Sequence, residues 1–125
     1  MSKYRALIVD DSPTMRQFLA LAVGRVRDVS HDQAQDGVEA LKLIKKNKYD
    51  IALLDINMPE LDGIRLLKMV RADPNSASMR VIVISTEGAT HTKEQLLSLG
   101  ANVYLTKPVE SRMVTGTVEK LLSGG

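Results

Sequence analysis

With 125 residues the chain has room for one domain of the usual size and for a normal hydrophobic core without staples. It contains no cysteine, which excludes a disulfide framework and a thiolate metal site, and its net charge of +2 is too small to signal a nucleic-acid binder. The first apolar stretch is only four residues long and follows Met1-Ser2-Lys3-Tyr4-Arg5, too short for a signal-peptide core or a membrane span, so a cytoplasmic protein is expected.

Ala6 to Val9 predicts a strand that stops at Asp10 and Asp11. Ser12 can then cap a helix with Pro13 at its first position, and Met15, Phe18, Leu19, Ala22 and Val26 fall on one face. Asp28 to Gln35 is mostly polar but lies where a second strand is needed. Val38, Leu41 and Ile44 mark a second helix, whose neighbours Lys42, Lys45, Lys46 and Lys48 read as a solvated face because no aromatic platform accompanies them. Ile51 to Leu54 predicts a strand ending at Asp55. A third helix carries Ile64, Leu67 and Val70 and should end before Asp73-Pro74-Asn75, since proline disfavours helical geometry in the residue before it. Val81 to Ile84 predicts a strand ending at Ser85, and Thr92 with Gln95 resembles a capping box for a fourth helix that closes near Gly100. The last strand, Val103 to Leu105, runs into Thr106 and Lys107. Val114, Val118, Leu121 and Leu122 mark a fifth helix, in which Gly116 should cost about 1 kcal/mol relative to alanine.

The pattern is (βα) repeated five times within a single domain, residues 1–125. Short unbroken apolar runs between helices read as parallel strands buried on both faces. Right-handed crossovers make this a doubly wound α/β sandwich with helices on both faces, and the flavodoxin-like order 2-1-3-4-5 is the natural arrangement of five strands. Such sheets bind ligands beyond the carboxyl ends of their strands, where Asp10, Asp11, Asp55, Ser85 and Lys107 all fall.

Strands one and three are neighbours in that order, so Asp10, Asp11 and Asp55 should converge. Mutual repulsion would raise one or more of their pKa values, and a hard cation would relieve it; few carboxylates with open water positions suit Mg²⁺ better than Ca²⁺. Asp55-Ile56-Asn57-Met58-Pro59 superficially echoes an EF-hand loop, but Pro59 stands at the third ligand position and the loop's glycine and terminal glutamate do not follow in place. His31 and His91 lack a metal-ligand partner at useful spacing, and neither Ser12 nor Ser85 has the histidine of a hydrolase triad. Taken singly, each candidate has a bland reading: a helix start for Asp10-Asp11-Ser12, a turn for Asp55, a strand-end hydroxyl for Ser85 and a solvated amine for Lys107. Their coincidence at one sheet edge favours a single site.

Val9-Asp10-Asp11-Ser12, Asp55-Ile56-Asn57-Met58-Pro59 with Asp62-Gly63, Ser85-Thr86-Glu87 and Lys107-Pro108, in this order and spacing, resemble the receiver domain of two-component response regulators, and among them the stand-alone CheY-like chemotaxis type. The resemblance implies that Asp55 accepts a phosphoryl group from the phosphohistidine of a sensor histidine kinase. It implies that Asp11, Asp55 and the Asn57 carbonyl hold Mg²⁺ with Asp10 joining them directly or through water, and that Lys107, the Ser85 hydroxyl and the Thr86 N–H contact the phosphoryl oxygens. It also implies a cis Lys107-Pro108 bond, and a switch in which Ser85 moves and Tyr104 rotates to alter an output face made of helix four, strand five and helix five.

Ile56 departs from the tryptophan many chemotaxis regulators carry there. Thr86 is bulkier than the family's usual alanine or glycine and could restrict access, while Asn57 and Glu87 match the chemotaxis type at positions that modulate dephosphorylation. The expected protein is a signalling switch rather than an enzyme, a monomer with no direct contact to nucleic acid or membrane. The alternatives are a receiver domain cut from a larger transcription factor or hybrid kinase, and a haloacid-dehalogenase-like phosphatase. Against the latter, Asp10 and Asp11 are adjacent rather than spaced as D-x-D, and there is no room for a cap insertion.

Overall fold

Strands and helices alternate along the chain in the computed structural model, which describes residues 3–58, 63–86 and 92–124. The strands are β1 (Tyr4–Val9), β2 (Val29–Ala34), β3 (Ile51–Asp55), β4 (Arg80–Thr86) and β5 (Val103–Lys107). The helices are α1 (Pro13–Gly24), α2 (Gly37–Lys46), α3 (Gly63–Ala72), α4 (Lys93–Ser98) and α5 (Ser111–Leu122). All neighbouring strands pair in parallel, in the order β2-β1-β3-β4-β5, as the sequence predicts.

The period-two geometry of a strand divides the core into two layers. Leu7, Val9, Ala52, Leu54, Val81 and Val83 face α2, α3 and α4, where Ala40, Ile44, Leu66, Leu67, Val70 and Leu96 meet them. Ala6, Ile8, Ile51, Leu53, Ile82 and Ile84 face α1 and α5, packing against Leu19, Ala22, Val23, Val114 and Val118. Burial of each large aliphatic side chain contributes about 1.5–3 kcal/mol, so these layers supply the main driving force for the fold. Thr115 Oγ1 also ties the two helices of the second layer by donating to Ala22 O at 2.7 Å.

Local signals act where expected. Ser12 Oγ accepts from Met15 N at 3.2 Å to cap α1, and Thr92 and Gln95 form a reciprocal capping box on α4. Gly100 follows α4 with φ 112°, a left-handed conformation that favours glycine. In α2 the face is slightly rotated from the expected one: Ala40 and Ile44 are buried, whereas Val38 is exposed, and all four neighbouring lysines lie in solvent.

Two arginines tie together the loops at the amino edge of the sheet. Arg71 Nη1 donates to Met79 O at 2.6 Å and Ala77 O at 3.0 Å, while Nη2 donates to Gly100 O at 2.7 Å and Asn102 Oδ1 at 3.1 Å. Its partners precede β4 and β5, so one guanidinium fixes α3 against both strand entrances. Arg5 lies 5.1 Å over the Tyr49 ring and donates from Nη2 to Asp32 Oδ2 at 2.9 Å, which also accepts from Tyr49 OH at 2.6 Å.

Candidate functional site

At the carboxyl edge the chain leaves four adjacent strands within a few residues of one another and gathers charge. Asp10, immediately after β1, is buried at 1% exposure, and its Oδ1 accepts from Ser12 N at 2.9 Å in a tight turn into α1. Asp11 points to solvent. Asp55 ends β3 at 3% exposure, with Oδ1 accepting from Asn57 N at 3.0 Å. Oxygens of Asp10, Asp11 and Asp55 lie within 4.8 Å of one another.

Glycine is required where α3 begins. A Cβ on Gly63 would lie 2.6 Å from Asp55 O and 2.8 Å from Ile56 Cα, so any side chain there would push the helix away from the loop that holds Asp55 and Asn57. The companion residues Pro59, Asp62, Glu87 and His91 lie outside the described residues.

From β4, Ser85 is fully buried, and among the described residues its Oγ makes only a long contact to Thr86 O at 3.4 Å. Thr86 is exposed, and its Oγ1 accepts from Asn57 Nδ2 at 3.0 Å, linking the two loops at the mouth of the pocket. Parallel register sets Lys107 of β5 beside Thr86, and the following bond to Pro108 is cis. Half-buried Lys107 Nζ stands 3.5 Å from Asp55 Oδ1 and 3.6 Å from Asp10 Oδ2. Tyr104 is half-buried and packs on the layer beneath α2–α4, opposite Val83.

The Asp55 pKa is raised from the ordinary aspartate value to about 6. Burial is the principal cause, with Asp10 and Asp11 adding repulsion; the Asn57 N–H and the Lys107 ammonium pull the other way without prevailing. Asp10 Oδ2 is buried without a hydrogen-bond partner among the described residues. A buried carboxylate oxygen in that condition is costly, and its position beside two further carboxylates fits a hard, oxygen-seeking divalent cation.

All of the sequence-predicted polar groups at the strand ends thus meet at one edge. Sequence reasoning missed Arg16, whose Nη1 donates to Asp10 O at 2.7 Å from the end of the first turn of α1. Helical spacing places its Cα on that side of α1, but nothing in the sequence reports that the guanidinium folds back toward the strand end.

A doubly wound parallel sheet with an acidic triad, a buried hydroxyl and a lysine at its carboxyl edge defines a receiver-type signalling domain. Residues 6–119 match the family described as the response regulator receiver domain, and the chain belongs to that family. It is 34% identical over 122 residues to a chemotaxis protein CheY homolog of Campylobacter jejuni, covering 97% of this chain and 94% of that protein. With the chemotaxis protein CheY-3 of Vibrio cholerae the identity is 32% over 117 residues, covering 94% and 90%. The receiver domain of the Francisella response regulator 1452 superposes with a TM-score of 0.87 at 34% identity over 98% of both chains. The protein is accordingly a CheY-like receiver domain of two-component signalling, a switch rather than a conventional enzyme.

Proposed function

We propose that this domain acts as a stand-alone, cytoplasmic, monomeric chemotaxis-type switch that takes a phosphoryl group on Asp55 from the phosphohistidine of a sensor histidine kinase. The observation that carries the reading is the pairing of a buried carboxylate with a lysine 3.5 Å away, beside a buried Asp10 oxygen that lacks a hydrogen bond among the described residues. Asp10, Asp11, Asp55 and the Asn57 carbonyl would hold Mg²⁺. The bound cation supplies neutralisation of charge on the transferring phosphoryl group.

An Asp55 carboxylate oxygen forms the new P–O bond as the P–N bond to the donor imidazole breaks, its electron pair staying on nitrogen. With a pKa of about 6, Asp55 remains mostly ionised at neutral pH while being more basic than an ordinary aspartate, which suits a nucleophile. Lys107 is within reach of the new phosphoryl oxygens, and the Thr86 N–H would donate to another. Ser85 can exchange its long 3.4 Å contact for a charge-assisted bond at little loss.

The strand register supports a route to the output face. Tyr104 pairs with Val83, and Ser85 lies two residues further along β4, on the same side of the sheet. An inward step by Ser85 would thus open space on the side where Tyr104 packs and change the α4–β5–α5 surface offered to an output protein, as a population shift between two arrangements. Intact-mass measurement after incubation with acetyl phosphate and Mg²⁺ tests the reading. One phosphoryl adduct is expected on the wild type and none on Asp55→Asn; a wild type without an adduct, or an equal adduct on both, refutes it.

A further inference from the structure

Asp10 is held at every polar atom but one. Its backbone N donates to Ala34 O at 3.2 Å, its Oδ1 accepts from Ser12 N at 2.9 Å, and its carbonyl accepts from Arg16 Nη1 at 2.7 Å. The remaining atom, Oδ2, is buried without a hydrogen bond among the described residues and faces the Lys107 ammonium at 3.6 Å. Immobilising three groups of one residue while leaving the fourth unsatisfied is the arrangement of a ligand whose direction is fixed before its metal arrives.

The Arg16 bond is the member of this set that ordinary fold stability explains least. A carbonyl at a strand end is normally met by water or a backbone N–H. Here a guanidinium folds back toward the N-terminal end of α1, where the helix dipole disfavours a cation, and toward a strand end that Lys107 already serves. The short charge-assisted bond offsets that cost by anchoring the turn that carries both Asp10 and Asp11. From this geometry we infer that Arg16 is a positioning residue for the divalent-cation pocket. Its contact with the Asp10 carbonyl holds the β1–α1 turn so that Asp10 Oδ2 and the Asp11 carboxylate are set for the metal.

The inference rests on the reading of the carboxyl edge as a Mg²⁺ site, and the test separates the two. Thermal unfolding of the wild type, Arg16→Met and Arg16→Lys is followed across a Mg²⁺ titration, without any phosphodonor. Cooperative melts in EDTA verify that each variant is folded. Half-saturating Mg²⁺ is expected to rise roughly 10-fold in Arg16→Met, the scale on which outer partners of metal ligands act. Arg16→Lys keeps the charge but shortens the arm and loses the planar fork, so a shift in the same direction is expected, and this variant decides the matter if Arg16→Met does not fold. Unchanged half-saturation overturns the inference while leaving the metal site intact. Tighter binding also overturns it, because that is the result of deleting a competing cation. A wild type indifferent to Mg²⁺ removes the metal reading, and the role of Arg16 with it.

Discussion

At the amino edge of the sheet a half-buried guanidinium, Arg71, has its N–H groups directed at three carbonyls and one side-chain amide oxygen; at the carboxyl edge Asp10 Oδ2 has no hydrogen bond among the described residues, and one ammonium stands between two buried carboxylates. Both edges place charge inside the protein. Burial lowers the Arg71 pKa from the ordinary arginine range, yet the group stays cationic and neutral acceptors surround it. Burial at the other edge raises the Asp55 pKa, and its neighbours leave the conflict unresolved. Satisfied charge fastens loops together, whereas unsatisfied charge waits for a ligand. The contrast locates stability and chemistry at opposite ends of the same strands.

Breaking the satisfied edge should have the largest effect. Arg71→Met strands the part-buried carbonyls of Met79 and Gly100 together and is expected to cost about 3 kcal/mol in urea unfolding, while the folded fraction still takes up one phosphoryl group. A loss below about 1 kcal/mol would place the clamp among ordinary surface contacts.

Relieving the unsatisfied edge should do the reverse. Because the folded state holds the Asp55 proton more tightly than the unfolded chain does, wild-type stability in metal-free buffer should fall as pH rises from about 4 to about 6. Asp55→Asn lacks that loss. It should therefore exceed the wild type by about 2 kcal/mol above pH 6, with the advantage shrinking as pH falls towards 4. Unfolding curves at pH 4.5 and 7.5 are sufficient; an equal difference at both would show that titration of this group is not the source.

The smallest effect belongs to neither edge. Gly116 sits inside α5 with nothing within 4 Å of where a Cβ would project, so Gly116→Ala should raise stability by about 1 kcal/mol without altering phosphorylation. A loss would mean that the helix conformation at that point is less ordinary than its dihedral class.

How much of this is legible in the sequence depends on how many neighbours a strand has. Central strands β1, β3 and β4 are covered on both faces and read as unbroken apolar runs, so their ends, and with them Asp10, Asp55 and Ser85, were identifiable by position. Strand β2 lies at a sheet edge, where His31 and Gln33 face solvent, and only the βα alternation requires a strand there. Motif residues whose chemistry is written in their type were also legible. Arg16 and Arg71 were not, since a long flexible side chain can reach many carbonyls and only the folded backbone selects among them. The same holds for Asn57 and Thr86, whose mutual bond depends on two loops far apart in sequence.

Helix α4 has six residues, well below the length at which a helix holds itself in water. Its order is borrowed: from a capping box at one end, from Leu96 in the core, and from the Arg71 bond to Gly100 just past the other. Local opening of such an element lies at the low end of the protein's free-energy scale, and amide exchange should report it there first. A surface that keeps its shape on credit from its neighbours can be rewritten by a small push from one of them, which is the sensitivity a single covalent event needs if it is to be heard elsewhere.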